Sequence, residues 1–376
     1  MRIAIDARII STGTGRYIER LLFYLEQLDT ADTFLILVRR KDLNYYKPHK
    51  PNFQIVEADF ADYSFAEQLG FNKLLRKLRP NLVHFCMPQQ PLLYKGNSVT
   101  TVHDLNLLRI TANDMSKIEL FVKQRVFAYL LKRVAKRSTH IIATSIYTKN
   151  DLINFSGIPS SKITVTYEGT DLSKSKQKQY SKMAKHKFIM YLGRAEPYKN
   201  NRGLIKAHQA LLKTHPDLWL VIVGKIDKQR QADMEWAKDL GYKQIHFTDF
   251  IPDEQVAWLH KHCLAYVLAS FMEGFGLPAL EAMGDGAPVV SSNTTCLPEI
   301  YGDGAYYFDP HNFNDMVAAI DYVISNPKIR DQLRVAGKKV HDKYSWKKMA
   351  KQTLEVYKNA LVAKEETTPP QELPQL

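Results

Sequence analysis

Residues 265–283 read AYVLASFMEGFGLPALEAM. Ala265–Leu268 is a short apolar run of strand length, and a glycine-flanked loop separates it from a run of helix formers. Pro278 suits the first helical position, where its fixed φ helps and its missing amide costs nothing. The amides just before it then form a helix N-terminus open to a phosphate. Glu281 is expected in the first turn, within reach of a ribose, and Glu273 in the loop. Strand, glycine loop and helix in that order make one unit of a parallel α/β sheet.

The same alternation runs along the chain in both directions. Strands are expected at Arg2–Ile5, Thr33–Leu37, Leu82–Phe85, Ser98–Val102, His140–Ala143 and Lys162–Val165. A second series follows at Phe188–Leu192, Trp219–Val223, Ile245–Phe247, Ala265–Leu268, Pro288–Ser291 and Ala305–Phe308. Each series suffices for a doubly wound domain, and 376 residues exceed the common domain size of about 100–150 severalfold. The expected division is 1–172, a polar linker 173–187 (SKSKQKQYSKMAKHK), 188–345, and a Pro-rich disordered tail 363–376.

Charge is uneven. The chain carries 52 Lys+Arg against 39 Asp+Glu, a net +13, yet residues 186–376 hold 23 of each. The whole excess falls in the first half. Much of it lies in 114–137, where Ile118, Leu120, Phe121, Val126, Phe127, Leu130, Leu131 and Val134 alternate with Lys123, Arg125, Lys132, Arg133, Lys136 and Arg137. Such a basic amphipathic helix either packs its apolar face on the sheet or meets an anionic membrane surface. A hydrophobic fraction of 45% excludes global disorder, and no apolar run approaches the ~20 residues that span a bilayer. Asp6 interrupts the apolar start where a signal peptide would continue, so the chain is expected in the cytoplasm. Cys86, Cys263 and Cys296 form no CxxC pair and point to neither a disulfide framework nor a zinc site.

Other candidates for chemistry sit at strand ends. Gly13-Thr14-Gly15 follows the first strand and precedes the helical run Tyr17–Leu28, but Ile18 spoils a dinucleotide fingerprint. His103 and Asp104 follow Ser98–Val102; an imidazole there can donate to a substrate oxygen or move a proton, or be merely structural. Arg194 and Lys199 lie in the loop after Phe188–Leu192, two fixed cations that suit a pyrophosphate leaving group. Gly274–Ala279 satisfies G-x-G-x-x-A, but the acid expected about 20 residues later is missing, since Thr294 stands there. A P-loop is absent, and His260 and His262 fall on different faces of a helix, so no metal is expected.

Taken together, EGFGLPALE with its E-x7-E spacing from Glu273 to Glu281, YLGRAEPYKN (191–200), TVHDLN (101–106), TGTGRY (12–17) and ATSIYTKNDL (143–152) resemble the retaining glycosyltransferases of family four. The resemblance implies a GT-B fold, two Rossmann-like domains facing a cleft, with residues 346–362 crossing back to the first domain. It implies a GDP- or UDP-sugar donor, a glycan or lipid-linked acceptor, no cofactor and no metal. By the same resemblance Arg194 and Lys199 would hold the diphosphate, Glu281 the ribose and Glu273 the donor sugar. The amides of Phe275, Gly276 and Leu277 beside Gly274 would bind phosphate or sugar, with His103 and Gly15, beside Gly13, supplied by the first domain. Glu168, where the family often has asparagine, is expected to end the first domain in a turn. The competing readings are a peripheral membrane protein and a nucleic-acid binder without transferase activity; no recognised nucleic-acid motif supports the latter.

Overall fold

A computed structural model describes residues 1–62, 64–110, 116–171 and 177–365. The chain forms two compact units. Met1–Leu105, Val122–Glu168 and the segment from Trp346 make the first; Asn106–Phe121 and Gly169–Ser345 make the second.

The first unit holds a parallel sheet of β1 (Arg2–Asp6), β2 (Thr33–Val38), β3 (Phe53–Glu57), β4 (Leu82–Phe85), β5 (Ser98–Val102), β6 (His140–Ala143) and β7 (Ile163–Val165). Its order is β3-β2-β1-β4-β5-β6-β7. The second holds β8 (Lys187–Leu192), β9 (Leu218–Val223), β10 (Ile245–Phe247), β11 (Ala265–Leu268), β12 (Val289–Ser292) and β13 (Ala305–Phe308), ordered β10-β9-β8-β11-β12-β13. Both follow the doubly wound pattern, in which helices cover both faces and central strands become continuous apolar runs. β4, β5 and β11 are buried at every residue.

Several expectations need correction. β3 was not anticipated: FQIVE is a sheet-edge strand, half exposed, with no apolar run to announce it. Residues 177–187 are not a linker. Tyr180 and Met183 are buried, Tyr180 Oη pairs with His246 Nε2 at 2.8 Å, and Lys187 already belongs to β8. Residues 106–110 and 116–121 cluster with the second unit although they follow β5. The first helix runs over Gly15–Leu25, so Gly15 starts it rather than lying in the preceding turn. The basic helix spans Lys117–Arg137 and buries Phe127, Leu131, Val134 and Ala135; Ile118, Phe121 and Val126, expected on the same face, are exposed. Residues 172–176, the start of the expected linker, and 366–376, most of the expected tail, lie outside the described residues. The helix Trp346–Glu365 packs on Gly15–Leu25, and its Tyr357 hydroxyl meets His84 Nδ1 in the first sheet.

Burial pushes His84 down to about 3 and, in the second unit, His208 down to about 4. Both stay neutral when folded, whereas the unfolded chain takes up a proton near pH 6.5. Stability is therefore complete above pH 6.5 and falls as pH drops from there, by up to about 1.4 kcal/mol per pH unit for each group. Urea unfolding at pH 7 and pH 5 should show this loss in both units, and His84→Gln with His208→Gln should flatten the dependence.

Candidate active site

In the second sheet the chain lays β9 and β10 on one side of β8, then returns to place β11 on the other. The loops leaving β8 and β11 diverge, and a crevice opens at their carboxyl ends. Phe271 N donates to Tyr198 O at 2.8 Å and ties the two loops together. Lys199 closes the 3-10 turn Pro197–Lys199, and Asn200, with φ 57°, turns the chain into the helix Asn201–Leu211. Lys199 Nζ lies 2.7 Å from both carboxylate oxygens of Glu273. Burial works against the ammonium, but the Glu273 charge outweighs it and holds Lys199 above its ordinary pKa.

Glu273 is fixed from three further directions. Ser270 Oγ donates to its Oε1 at 2.7 Å, its own amide donates to Thr295 Oγ1 at 3.1 Å, and the Cys296 thiol donates to its carbonyl. Thr295 adopts φ 52°, a left-handed backbone that costs a β-branched residue on the order of 1–3 kcal/mol. That conformation places its hydroxyl against the Glu273 amide.

The helix Leu277–Gly284 begins after Gly276, whose φ is 83°. Tyr301 Oη donates to the Gly276 carbonyl at 2.6 Å and fills the space a Cβ there would need. Gly274, Phe275, Gly276 and Leu277 thus converge on a helix N-terminus. Phe275 is buried edge-on to Tyr344, with centroids 5.5 Å apart. Pro278 is the second helical residue and Glu281 lies in the second turn, not the first; Glu281 is half-buried. The Arg194 carbonyl accepts from Tyr191 Oη and Asn201 Nδ2 at 3.3 Å each, while its side chain is exposed. Buried Arg230 braces the same loop by donating to Gly193 O at 2.7 Å.

In the first unit His103 follows β5. Its Nδ1 is 3.1 Å from Glu168 Oε1 and its Nε2 3.1 Å from the Cys86 carbonyl, while Tyr17 packs edge-on at 4.9 Å. Both ring nitrogens face acceptors, the arrangement of an imidazolium donating twice. Burial opposes that charge, yet the Glu168 bond and charge, with Asp104, raise the pKa above the ordinary value. Glu168 does end the stretch Val122–Glu168 of the first unit, as expected, but it is more than a terminal residue: it is buried and paired to a histidine 65 residues away. Removing that partner should lower the His103 pKa. In Glu168→Gln the alkaline limb of the pH–rate profile should move to lower pH, because the charged hydrogen bond that holds the proton is gone. An unmoved limb would separate Glu168 from His103 in the reaction. Gly13 is exposed, whereas Gly15 is buried against the carbonyls of Ile9 and Ile10, where a Cβ would collide.

Lys123, Arg125, Lys132, Arg133, Lys136 and Arg137 all stand exposed on the helix Lys117–Arg137. Of the residues passed over as metal-like, His260 Nδ1 pairs with Asp285 at 2.8 Å, and His262 stacks on Trp258. Among the described residues no three His, Cys, Asp or Glu side chains cluster to hold a metal ion. Sequence reasoning passed over Ser270, Thr295, Tyr301 and Arg230. The only hint for the first two was a small hydroxyl residue just past a buried strand.

Two doubly wound sheets, with a partly buried Lys–Glu pair and a glycine-built helix N-terminus at the break in strand order of the second, have the architecture of the GT-B fold. The description Glycosyl transferases group 1 fits residues 173–340, and Glycosyltransferase Family 4 fits residues 11–174. The chain belongs to this family. It is 29% identical to the O-antigen chain mannosyltransferase B of Escherichia coli over 69% of this chain and 70% of that one. It is 24% identical to the O-antigen chain mannosyltransferase RfbU of Salmonella typhimurium over 85% and 90%. Among solved structures, sucrose-phosphate synthase from Thermosynechococcus elongatus superposes with a TM-score of 0.79 at 17% identity, covering 96% of this chain and all of that one.

Proposed function

We propose that the protein transfers a mannose-type hexose from a nucleoside-diphosphate sugar to a growing glycan or lipid-linked acceptor in polysaccharide synthesis, with retention of anomeric configuration. The likeness to two O-antigen mannosyltransferases supports the hexose and the acceptor class. One observation carries the site: the Lys199–Glu273 pair beside the helix N-terminus at Gly276. As the glycosidic bond to phosphate breaks, charge builds on the departing diphosphate. Lys199, Arg194 and the amides of Phe275, Gly276 and Leu277 stabilise it where it develops, without a metal. Glu273 accepts from hydroxyls of the donor sugar and Glu281 from the ribose.

The donor is GDP- or UDP-linked. Purified protein mixed with a panel of nucleotide sugars and followed by NMR should release nucleotide from one of them; no turnover or binding at millimolar concentration would overturn the reading.

The lipid end of the acceptor is proposed to meet the first unit. Beside the bases of Lys117–Arg137, exposed Val126 and Tyr129 line a groove of about 510 Å3 with Leu130 and Leu92. An apolar groove on a helix that carries exposed bases, Arg125 at the groove itself, supports an anionic headgroup with its lipid chain as the acceptor and the inner face of a membrane as its setting. No described helix is long and apolar enough to cross one. Reversing Lys132, Arg133, Lys136 and Arg137 to glutamate should abolish flotation with anionic liposomes and weaken use of a lipid-linked acceptor about tenfold or more, while donor hydrolysis is spared. Equal loss of both would remove the membrane role.

A further inference from the structure

A second cavity, of about 320 Å3, lies in the second unit between Arg109, Pro197, Tyr198, Phe271, Met272 and His311. The side chains of these residues have no part in the site described above, but several of them are its neighbours in sequence. Tyr198 immediately precedes Lys199, Met272 immediately precedes Glu273, and the bond from Phe271 N to Tyr198 O joins the two walls. Lys199 Nζ sits 5.1 Å from the centre of the Tyr198 ring, so one aromatic residue touches both places. His311, in the loop after β13, stacks on Phe271 with centroids 5.0 Å apart and planes at 21°.

The wall chemistry is distinctive. Two aromatic rings, an imidazole and a thioether offer flat, polarisable faces, and one guanidinium stands at the edge. The volume is at the small end of ligand sites, which run from about 300 to 1,000 Å3. Pyranose rings fit such places: their axial C–H bonds present a weakly positive face to the negative face of an aromatic ring, while hydroxyls at the rim accept from an arginine. A nucleobase would also stack. It belongs, however, at the far end of the donor, beyond a ribose and two phosphates from the sugar that Glu273 receives, whereas Met272 in the wall of this cavity immediately precedes Glu273 in the chain.

We propose that this cavity is a saccharide subsite that holds a hexopyranose of the acceptor glycan beside the reacting sugar. The assignment rests on the reading of Glu273 and Lys199 given above. It explains why an aromatic stack that buries neither partner fully is placed at the mouth of the crevice: His311 is exposed and Phe271 only half-buried, so both keep surface for a ligand.

The test uses Phe271→Ala, His311→Ala and Arg109→Gln in the full chain, with α-mannotriose and methyl α-mannopyranoside as probes. Saturation-transfer NMR should show both sugars receiving magnetisation from the wild type, and the signal should fall at least fivefold in Phe271→Ala and His311→Ala. In turnover assays the acceptor KM should rise about tenfold with kcat and acceptor-free donor hydrolysis unchanged. An unchanged acceptor KM together with unchanged saccharide contact overturns the subsite. A matching rise in donor KM, or weakened binding of free GDP or UDP, would overturn it in favour of a nucleotide pocket. Wild-type protein that hydrolyses no nucleotide sugar would sink the transferase reading instead, and the NMR arm still decides the cavity. His311→Phe, which preserves a flat ring, should restore binding if stacking is the cause.

Discussion

Lys199→Ala is expected to slow sugar transfer by about 10²–10³, the usual effect of deleting one preorganised donor from a developing anion. The structure predicts a second consequence. Lys199 meets both oxygens of a carboxylate that is only 7% exposed, and without the ammonium Glu273 keeps Ser270 as its side-chain partner among the bonds described. A carboxylate so deprived is no longer held in the one orientation that receives the sugar hydroxyls. The two side chains should therefore act as one unit. Lys199→Ala combined with Glu273→Gln is expected to cost little more than either change alone, as happens when residues serve a single step. Because stripping one partner from a buried pair also destabilises, by about 3–5 kcal/mol, circular dichroism and urea unfolding must accompany the kinetics. A folded Lys199→Ala enzyme with turnover within threefold of wild type would refute the assignment.

Arg8→Ala is expected to destabilise the first unit by about 3–5 kcal/mol, more than most single substitutions. Arg8 leaves the end of β1 and is 3% exposed. Its Nε and Nη2 donate to the two oxygens of Asp6 at 2.8 Å, and Nη2 also donates to Glu67 at 2.8 Å. The guanidinium lies 4.2 Å from the centre of the Phe71 ring. Burial works against the charge, but the two carboxylates outweigh it and raise the Arg8 pKa. Without Arg8, Asp6 and Glu67 would share a dry pocket with like charge, and one of them would have to protonate on folding. Arg8→Lys should recover only part of the loss, because an ammonium cannot match the fork geometry. Thermal unfolding at pH 7 and pH 5 provides the check: Arg8→Ala should lose less at pH 5, where a carboxylate protonates more readily. A loss below 1 kcal/mol at both values would show that the triad contributes little.

Sequence and structure agree most closely where one residue's environment settles its role. Central strands such as Leu82–Phe85, Ser98–Val102 and Ala265–Leu268 were legible to the residue, because burial on both faces fills them with apolar and β-branched side chains and leaves no charged one. The loops carrying Lys199 and Glu273 were legible as strand ends, and the glycine at 276 as a helix start. What escaped depends on meetings between distant segments. Phe53–Glu57 alternates like any edge, and nothing in it tells strand from loop until β2 pairs with it. Tyr180 and Met183 look like strays in a lysine-rich run until His246 and the second sheet are present. Glu168 reads as a turn residue because its partner, His103, lies across the sheet from β7. Thr295 could not be assigned, since its use depends on a left-handed backbone that its side chain disfavours.

The helix Trp346–Glu365 belongs to the unit that contains Met1. On the ribosome this inverts the usual order of completion, in which the amino-terminal domain matures first. All thirteen strands emerge before the segment that covers Gly15–Leu25 and supplies the Tyr357 hydroxyl to His84. The second sheet can close while the first still lacks that cover, so the earliest-made half of the enzyme is the last to be finished. A chain cut after residue 345 would therefore spare the unit it borders and leave the other without its cover.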